Sequence, residues 1–239
     1  MVLSLEDLSE RVGSRAAKHV ASRLVRKKIL ERVGRGRYLI RPLRTHGRPS
    51  TPSAPAIAFA LLQHEPFYLG GLWALSHHRL TSQQYASVLD VFVRTRRPSR
   101  KVANARLQFH RVPVARLAHG TIEADVEGVH VRVSTPERTL LDLLDLPSLA
   151  GGALAAIRHV ESSLPRVSVA TLVNDAARGS QISTCQRLGV LLERFGVPPR
   201  KLRPIAARIR ETKSLLSLHA GRPRTGRVNK RWLVVENDS

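Results

Sequence analysis

Residues 41–53 read Arg-Pro-Leu-Arg-Thr-His-Gly-Arg-Pro-Ser-Thr-Pro-Ser, with three prolines and one glycine. Proline lacks the backbone donor and fixes φ, so neither a helix interior nor a central strand runs through such a segment. A chain of 239 residues is thereby divided early. The expected organisation is a short unit over 1–48, a linker, and a long unit over 54–239.

The short unit opens with a helix signal. Ser4 can cap, and Asp7 stands three residues on as a capping-box variant. Leu5, Leu8 and Val12 share one helical face, and Gly13 ends the helix. Ser14 is the expected cap of a second helix over 15–27 with two distinct faces. Ala17, Val20, Ala21, Leu24 and Val25 form the apolar one; Arg15, Lys18, His19, Ser22 and Arg26 form the other, which is basic and polar throughout. Residues 29–33 and 37–40 then alternate as strands around Gly34-Arg35-Gly36, a hairpin whose glycines supply the turn. Arg35 stands at its tip, between Arg32 and Arg37.

Two helices with a tight turn, followed by a basic hairpin, form the pattern of a winged helix-turn-helix. The second helix would enter the major groove of duplex DNA, and the hairpin would reach phosphates or the minor groove. The expected DNA-binding residues are Arg15, Lys18, His19, Ser22, Arg26, Arg32, Arg35 and Arg37. Such a unit ordinarily has one more helix before the one that starts at Ser4; either the start at Met1 is late, or the core is completed from elsewhere, or the unit is only marginally stable alone. The apolar segment 54–64 is the candidate to complete its core.

The net charge of +22, from 40 Lys and Arg against 18 Asp and Glu, fits a polyanionic partner. The excess is clustered: +9 over 1–48, +8 over 94–116 and +10 over 197–231. Clusters point to surfaces rather than to general solubility. Cys185 is the one cysteine, which excludes a disulfide framework and suits a reducing cytoplasm. The longest uncharged apolar stretch, 54–63, is too short to span a bilayer, and the first residues show no signal peptide.

The long unit reads as mixed α+β. A helix over 54–64 is broken by Phe67-Tyr68-Leu69-Gly70-Gly71 and resumes over 72–78. Strands are expected over 86–94, 106–112 and 126–133, with the basic run 94–101 as a loop. Thr135 can cap a helix that has Pro136 in its first position and Glu137 placed for a capping box with Ser134. That helix continues through the leucines of 139–146, with Glu137 and Arg138 available for an orienting ion pair. Further helices are expected over 152–164, 167–178, 181–195 and 201–210. A closing strand is expected over 228–235 with Trp232 and Val234 on one face.

These blocks resemble those of AbiEi-type antitoxins. The resemblance rests on Tyr68-Leu-Gly70-Gly71-Leu-Trp-Ala74-Leu75, on Val133-Ser134-Thr135-Pro136-Glu137-Arg138-Thr139-Leu140-Leu141-Asp142, on Arg187-Leu188-Gly189 with Leu191-Leu192-Glu193, and on Asn229-Lys230-Arg231-Trp232. It covers nearly the whole chain, in order. It implies an N-terminal winged helix that represses its own operon, a C-terminal antitoxin domain, a nucleotidyltransferase-like toxin as partner, and a role in phage defence by abortive infection.

Signals for catalysis are incomplete. No phosphate-binding glycine loop, Gly-x-Ser-x-Gly or His-Glu-x-x-His is present. His77 and His78 are adjacent and would diverge on a helix. Asp90, in the middle of an expected strand, suggests the carboxylate of a metal-dependent nuclease, but the next strand offers no second acid. Glu123, Asp125 and Glu127 alternate and suit a solvated acidic hairpin. The expectation is therefore a DNA-binding antitoxin and repressor without cofactor, metal or enzymatic activity; the alternative is a metal-dependent nuclease or other nucleic-acid enzyme using carboxylates near Asp90. With 4% aromatic residues, single-strand stacking is poorly served.

Overall fold

The computed structural model describes residues 2–41, 53–62, 65–102, 105–126 and 129–237. Most of the expected linker, 42–52, lies outside them, as do residues 63 and 64 of the expected helix and Glu127 of the acidic trio. The architecture is mixed α+β with three sheets among the described residues.

The chain begins with β1 (Val2–Ser4), α1 (Leu5–Val12), α2 (Ser14–Arg26), β2 (Leu30–Gly34) and β3 (Arg37–Ile40). Ser4 and Asp7 close the expected capping box at the start of α1. Those hydrogen bonds hold the Asp7 carboxyl below its usual range, the backbone bond from Ser4 contributing most. Ser14 does not cap α2; Gly13, at φ 80, takes the cap position without a side-chain bond. Val12 is exposed rather than part of the apolar face. The apolar face of α2 is as read: Ala17 and Ala21 are buried with Leu8, Leu30 and Tyr38, and Val20, Leu24 and Val25 pack against them.

One strand was not read from the sequence. β1 pairs antiparallel with β3, giving the order β1-β3-β2, so Leu3 and Leu5 join the core of α1 and α2. The expected helix over 54–64 is α3 (Ala54–Leu62). It packs on β2 and β3, and Arg37 reaches the Leu61 carbonyl across that contact. Leu39 shares the strand face of Arg37, whereas Tyr38 and Ile40 face α1 and α2. Both faces of the hairpin are thus covered, and α3 lies opposite the core it was expected to complete.

The break at Phe67 is a strand, not a loop: β4 (Phe67–Gly70), followed by α4 (Gly71–His77), which starts on Gly71 at φ 64. Next come β5 (Val88–Val93), β6 (Arg100–Val102), β7 (Ala105–Arg111), α5 (Val114–Ala118), β8 (Thr121–Val126) and β9 (Val129–Ser134). They form one six-stranded sheet, ordered β6-β7-β5-β4-β9-β8. β5 and β7 run parallel, with Val88 opposite Arg106. Part of the basic run expected as a loop is edge strand β6, antiparallel to β7. α5 is likewise an addition.

The remaining helices are α6 (Pro136–Asp145), α7 (Ala153–Ser163), α8 (Val169–Gly179), α9 (Ile182–Arg194) and α10 (Arg203–Ile209), close to the positions read. Thr135 caps α6 through the Arg138 amide. Glu137 closes no capping box with Ser134; its carboxylate accepts from the Ser168 amide, and Ser134 meets the Thr139 hydroxyl instead. α6 packs against α4, α7, α8 and α9, and every residue from 138 to 145 is buried. Contacts divide the chain into two compact units: 1–69, 86–113 and 123–132 form one, and 70–85, 114–122 and 133–239 the other.

The expected closing strand is a hairpin. β10 (Leu216–Ser217) pairs parallel with β12 (Val234–Glu236), and β11 (Arg227–Asn229) pairs with it antiparallel. Trp232 lies in the turn between β11 and β12, fully buried. A Cβ added at Gly189 of α9 would be driven into its indole ring. Gly189→Ala should therefore lower stability by about 1–3 kcal/mol or more in urea unfolding. An unchanged midpoint would contradict this packing.

Candidate nucleic-acid interface

α2 is amphipathic because its apolar residues recur at helical spacing and its other positions are long or polar. Arg15, Lys18, His19, Ser22 and Arg26 are all exposed, on the face opposite Ala17 and Ala21. No acid lies anywhere on α2. The helix ends where Lys28 turns left-handed at φ 58, with the Ile29 amide donating to the Leu24 carbonyl. That turn feeds the chain into β2 and sets the hairpin beside α2.

Arg35 is exposed at the hairpin tip, between Gly34 and Gly36 at φ 68. Arg32 is exposed as well, its Nε 3.4 Å from the Gly34 carbonyl. Arg37 departs from the expected set. Its guanidinium donates to the Leu61 carbonyl of α3, so it is engaged within the fold rather than projecting from it. Strand periodicity explains why: residues 35 and 37 alternate with the inward-facing Tyr38 and Ile40, and the side that Arg37 occupies is the one α3 covers.

The carboxylates behave as structural groups. Asp90, 4% exposed, meets His110 Nε2 of β7 at 2.7 Å. Phe92 lies 5.1 Å from His110 and stacks on Tyr68 at 4.5 Å, so a polar pair and two rings line one sheet face. Asp90 therefore has a partner that the sequence did not suggest, because β7 comes to lie beside β5 only through tertiary pairing. Glu123 approaches Arg132, and Asp125 approaches His130, both at the exposed surface. His77 stacks on Trp73, and burial, aided by the neighbouring His78, lowers its pKa. His78 Nε2 meets the Ser134 carbonyl at 2.6 Å. Among the described residues no three His, Cys, Asp or Glu side chains converge as metal ligands. Burial pushes the Cys185 thiol up to about 11, which leaves it unreactive near neutral pH.

A buried ionic cluster was not read from the sequence. Arg138, expected to be available for an ion pair, donates through Nε to Asp142 Oδ1 at 2.8 Å, one helical turn on. Arg116 of α5 reaches Asp142 at 3.4 Å and also pairs with Asp145. Asp145 Oδ1 accepts from the Gln181 amide at the start of α9, and Arg138 donates to the His119 carbonyl. The signal was there: two acids buried among the leucines of α6 need cations. Beside the cluster, between α5, α6 and α8, lies a cavity of about 250 Å³.

Asp142→Ala would leave two largely buried guanidiniums without this carboxylate. The expected loss is about 3–5 kcal/mol in urea unfolding, and a loss under about 1 kcal/mol would contradict a structural role for the pair.

The family model described as AbiEi antitoxin C-terminal domain matches residues 68–194, from β4 through α9. No curated protein matches the chain. Among solved structures, the crystal structure of the RV2827C protein from Mycobacterium tuberculosis is similar over 99% of this chain and 86% of that one, with a TM-score of 0.70 at 17% identity. A likeness at that identity concerns the fold.

Proposed function

Because the chain belongs to the AbiEi antitoxin family, we propose that it is an antitoxin that also represses its own promoter by binding duplex DNA. In this reading residues 1–48 are a winged helix-turn-helix and 54–239 the antitoxin domain. α2 is the recognition helix and the hairpin of β2 and β3 is the wing. The sheet order β1-β3-β2 beside two helices supports that reading, because it places the hairpin alongside α2.

The observation that carries the proposal is the outer face of α2. Five exposed polar or basic side chains recur at helical spacing with no acid on the helix. Arg15, Lys18, His19, Ser22 and Arg26 are placed to meet base edges and flanking phosphates, and Arg35 and Arg32 extend the contact from the wing. Arg37 belongs to the support of the wing through α3. The protein acts in the cytoplasm by binding, without a catalytic step of its own. Its antitoxin partner is a nucleotidyltransferase-like toxin, whose reading frame is expected beside this one.

Replacing Arg15, Lys18 and Arg35 by Ala together should abolish promoter binding in a gel-shift assay while leaving the thermal unfolding profile unchanged. For any residual complex, the slope of log affinity against log salt should become shallower by up to about 3, one for each lost cation. Unchanged affinity in the triple variant would overturn the assignment of α2 and the wing.

A further inference from the structure

The cavity of about 250 Å³ beside the buried ionic cluster lies wholly within one compact unit, between α5, α6 and α8. Leu141 of α6, Ala115 of α5 and Gly179 at the end of α8 give it apolar or small walls. Arg116 and Arg138 also line it, whereas their carboxylate partners Asp142 and Asp145 do not. The acids thus stand behind the guanidiniums, and the cavity meets the cationic side of each pair.

One donor there is unfilled. Arg116 uses Nη2 for both Asp142 and Asp145, but its Nε–H is buried and has no partner among the described residues. A buried donor without an acceptor is rare in a folded protein. At the rim stands the exposed Arg178 of α8, whose Nη1 meets His119 Nε2. Arg178 forms no ion pair among the described residues, although Asp175, three residues before it on α8, lines the same cavity. A plain packing gap between helices is lined by apolar groups alone. A single water would satisfy the Arg116 donor but leave most of this space empty.

We propose that this cavity binds a small organic monocarboxylate with an apolar body, a ring or a branched chain. An apolar cavity of about 150 Å³ holds a benzene molecule, so this one has room for about ten non-hydrogen atoms. The walls of Leu141 and Ala115 take the body, and Arg116 Nε and the Arg178 guanidinium are the donors for the two carboxylate oxygens. Asp175 opposes a second negative charge, which favours a carboxylate over a phosphate monoester. Bound there, the acid would tie α8 to α5 and α6 at the point where the ionic cluster joins them. The site is separate from α2 and does not rest on the assignment of α2 as a recognition helix.

The test is isothermal titration calorimetry of the full chain with benzoate, phenylacetate and cyclohexanecarboxylate. At least one of them should bind once per chain, with a Kd of about 1 mM or tighter, and should raise the thermal midpoint as its concentration rises. Benzyl alcohol, which lacks the charge, and phenyl phosphate, which carries a second one, should bind at least about tenfold more weakly than the best acid. Two variants check the place. Gly179 is outside the left-handed region and a Cβ there meets no atom within 4 Å, so Gly179→Leu should fold and obstruct the cavity. Arg178→Gln, at an exposed position, removes one donor. Each should weaken the best acid about tenfold, and a loss in either variant that unfolds as the parent does supports the site. No binding of any of the three acids at about 10 mM would overturn the proposal. Equal binding of benzyl alcohol, or tighter binding of phenyl phosphate, would overturn the choice of a carboxylate. Affinity unchanged in both variants would put the acid elsewhere and overturn the site.

Discussion

The Arg138–Asp142 pair is the interaction on which the order of the helical unit depends. It lies within α6, whose whole face from 138 to 145 is buried, so neither charge has water to solvate it. Each ion is tolerable only with the other and with the additional partners around them. Those partners come from elsewhere in the chain: Arg116 from α5, the His119 carbonyl after it, and the Gln181 amide at the start of α9, reached through Asp145. Satisfying the buried charges of Arg138, Asp142 and Asp145 therefore fixes where α5, with the turn after it, and the start of α9 meet α6. Gly120 shows how close that meeting is, since a Cβ there would stand 3.1 Å from the Arg138 Cβ.

A different constraint shapes the N-terminal elements. A two-stranded hairpin is marginal unless both faces are covered or further strands are added. Here α1 and α2 cover one face, α3 covers the other, and β1 lengthens the sheet. That arrangement commits Arg37 to the α3 side and leaves Arg32 and Arg35 at the exposed end of the hairpin.

Local signals were legible in the sequence. The capping pair of Ser4 and Asp7, the glycines of the hairpin, Pro136 at the start of α6 and the apolar spacing of α2 all act within a few residues, and the structure follows them. What was not legible depends on residues far apart in the chain. β4 reads as a break because its four residues have no periodicity, and only its place between β5 and β9 makes it a strand. β1 needs β3 as a template. The single closing strand expected over 228–235 becomes a hairpin because Gly189 leaves room for Trp232 beneath the turn. The outer face of α2 was readable as a surface because exposure follows directly from helical period. The engagement of Arg37 and the pairing of Asp90 with His110 were not, because each partner arrives from another element.

The cations thus separate by position into those held by the fold and those left exposed on it. Arg116, Arg138 and Arg37 belong to the first group; the α2 face and the hairpin tip belong to the second. The most direct test of the role proposed for the exposed cations is hydrogen–deuterium exchange of the full chain with and without its promoter duplex. The account predicts slower exchange in peptides covering residues 14–26 and 34–36 when DNA is added. Exchange unchanged in both peptides, while the complex forms, would contradict it.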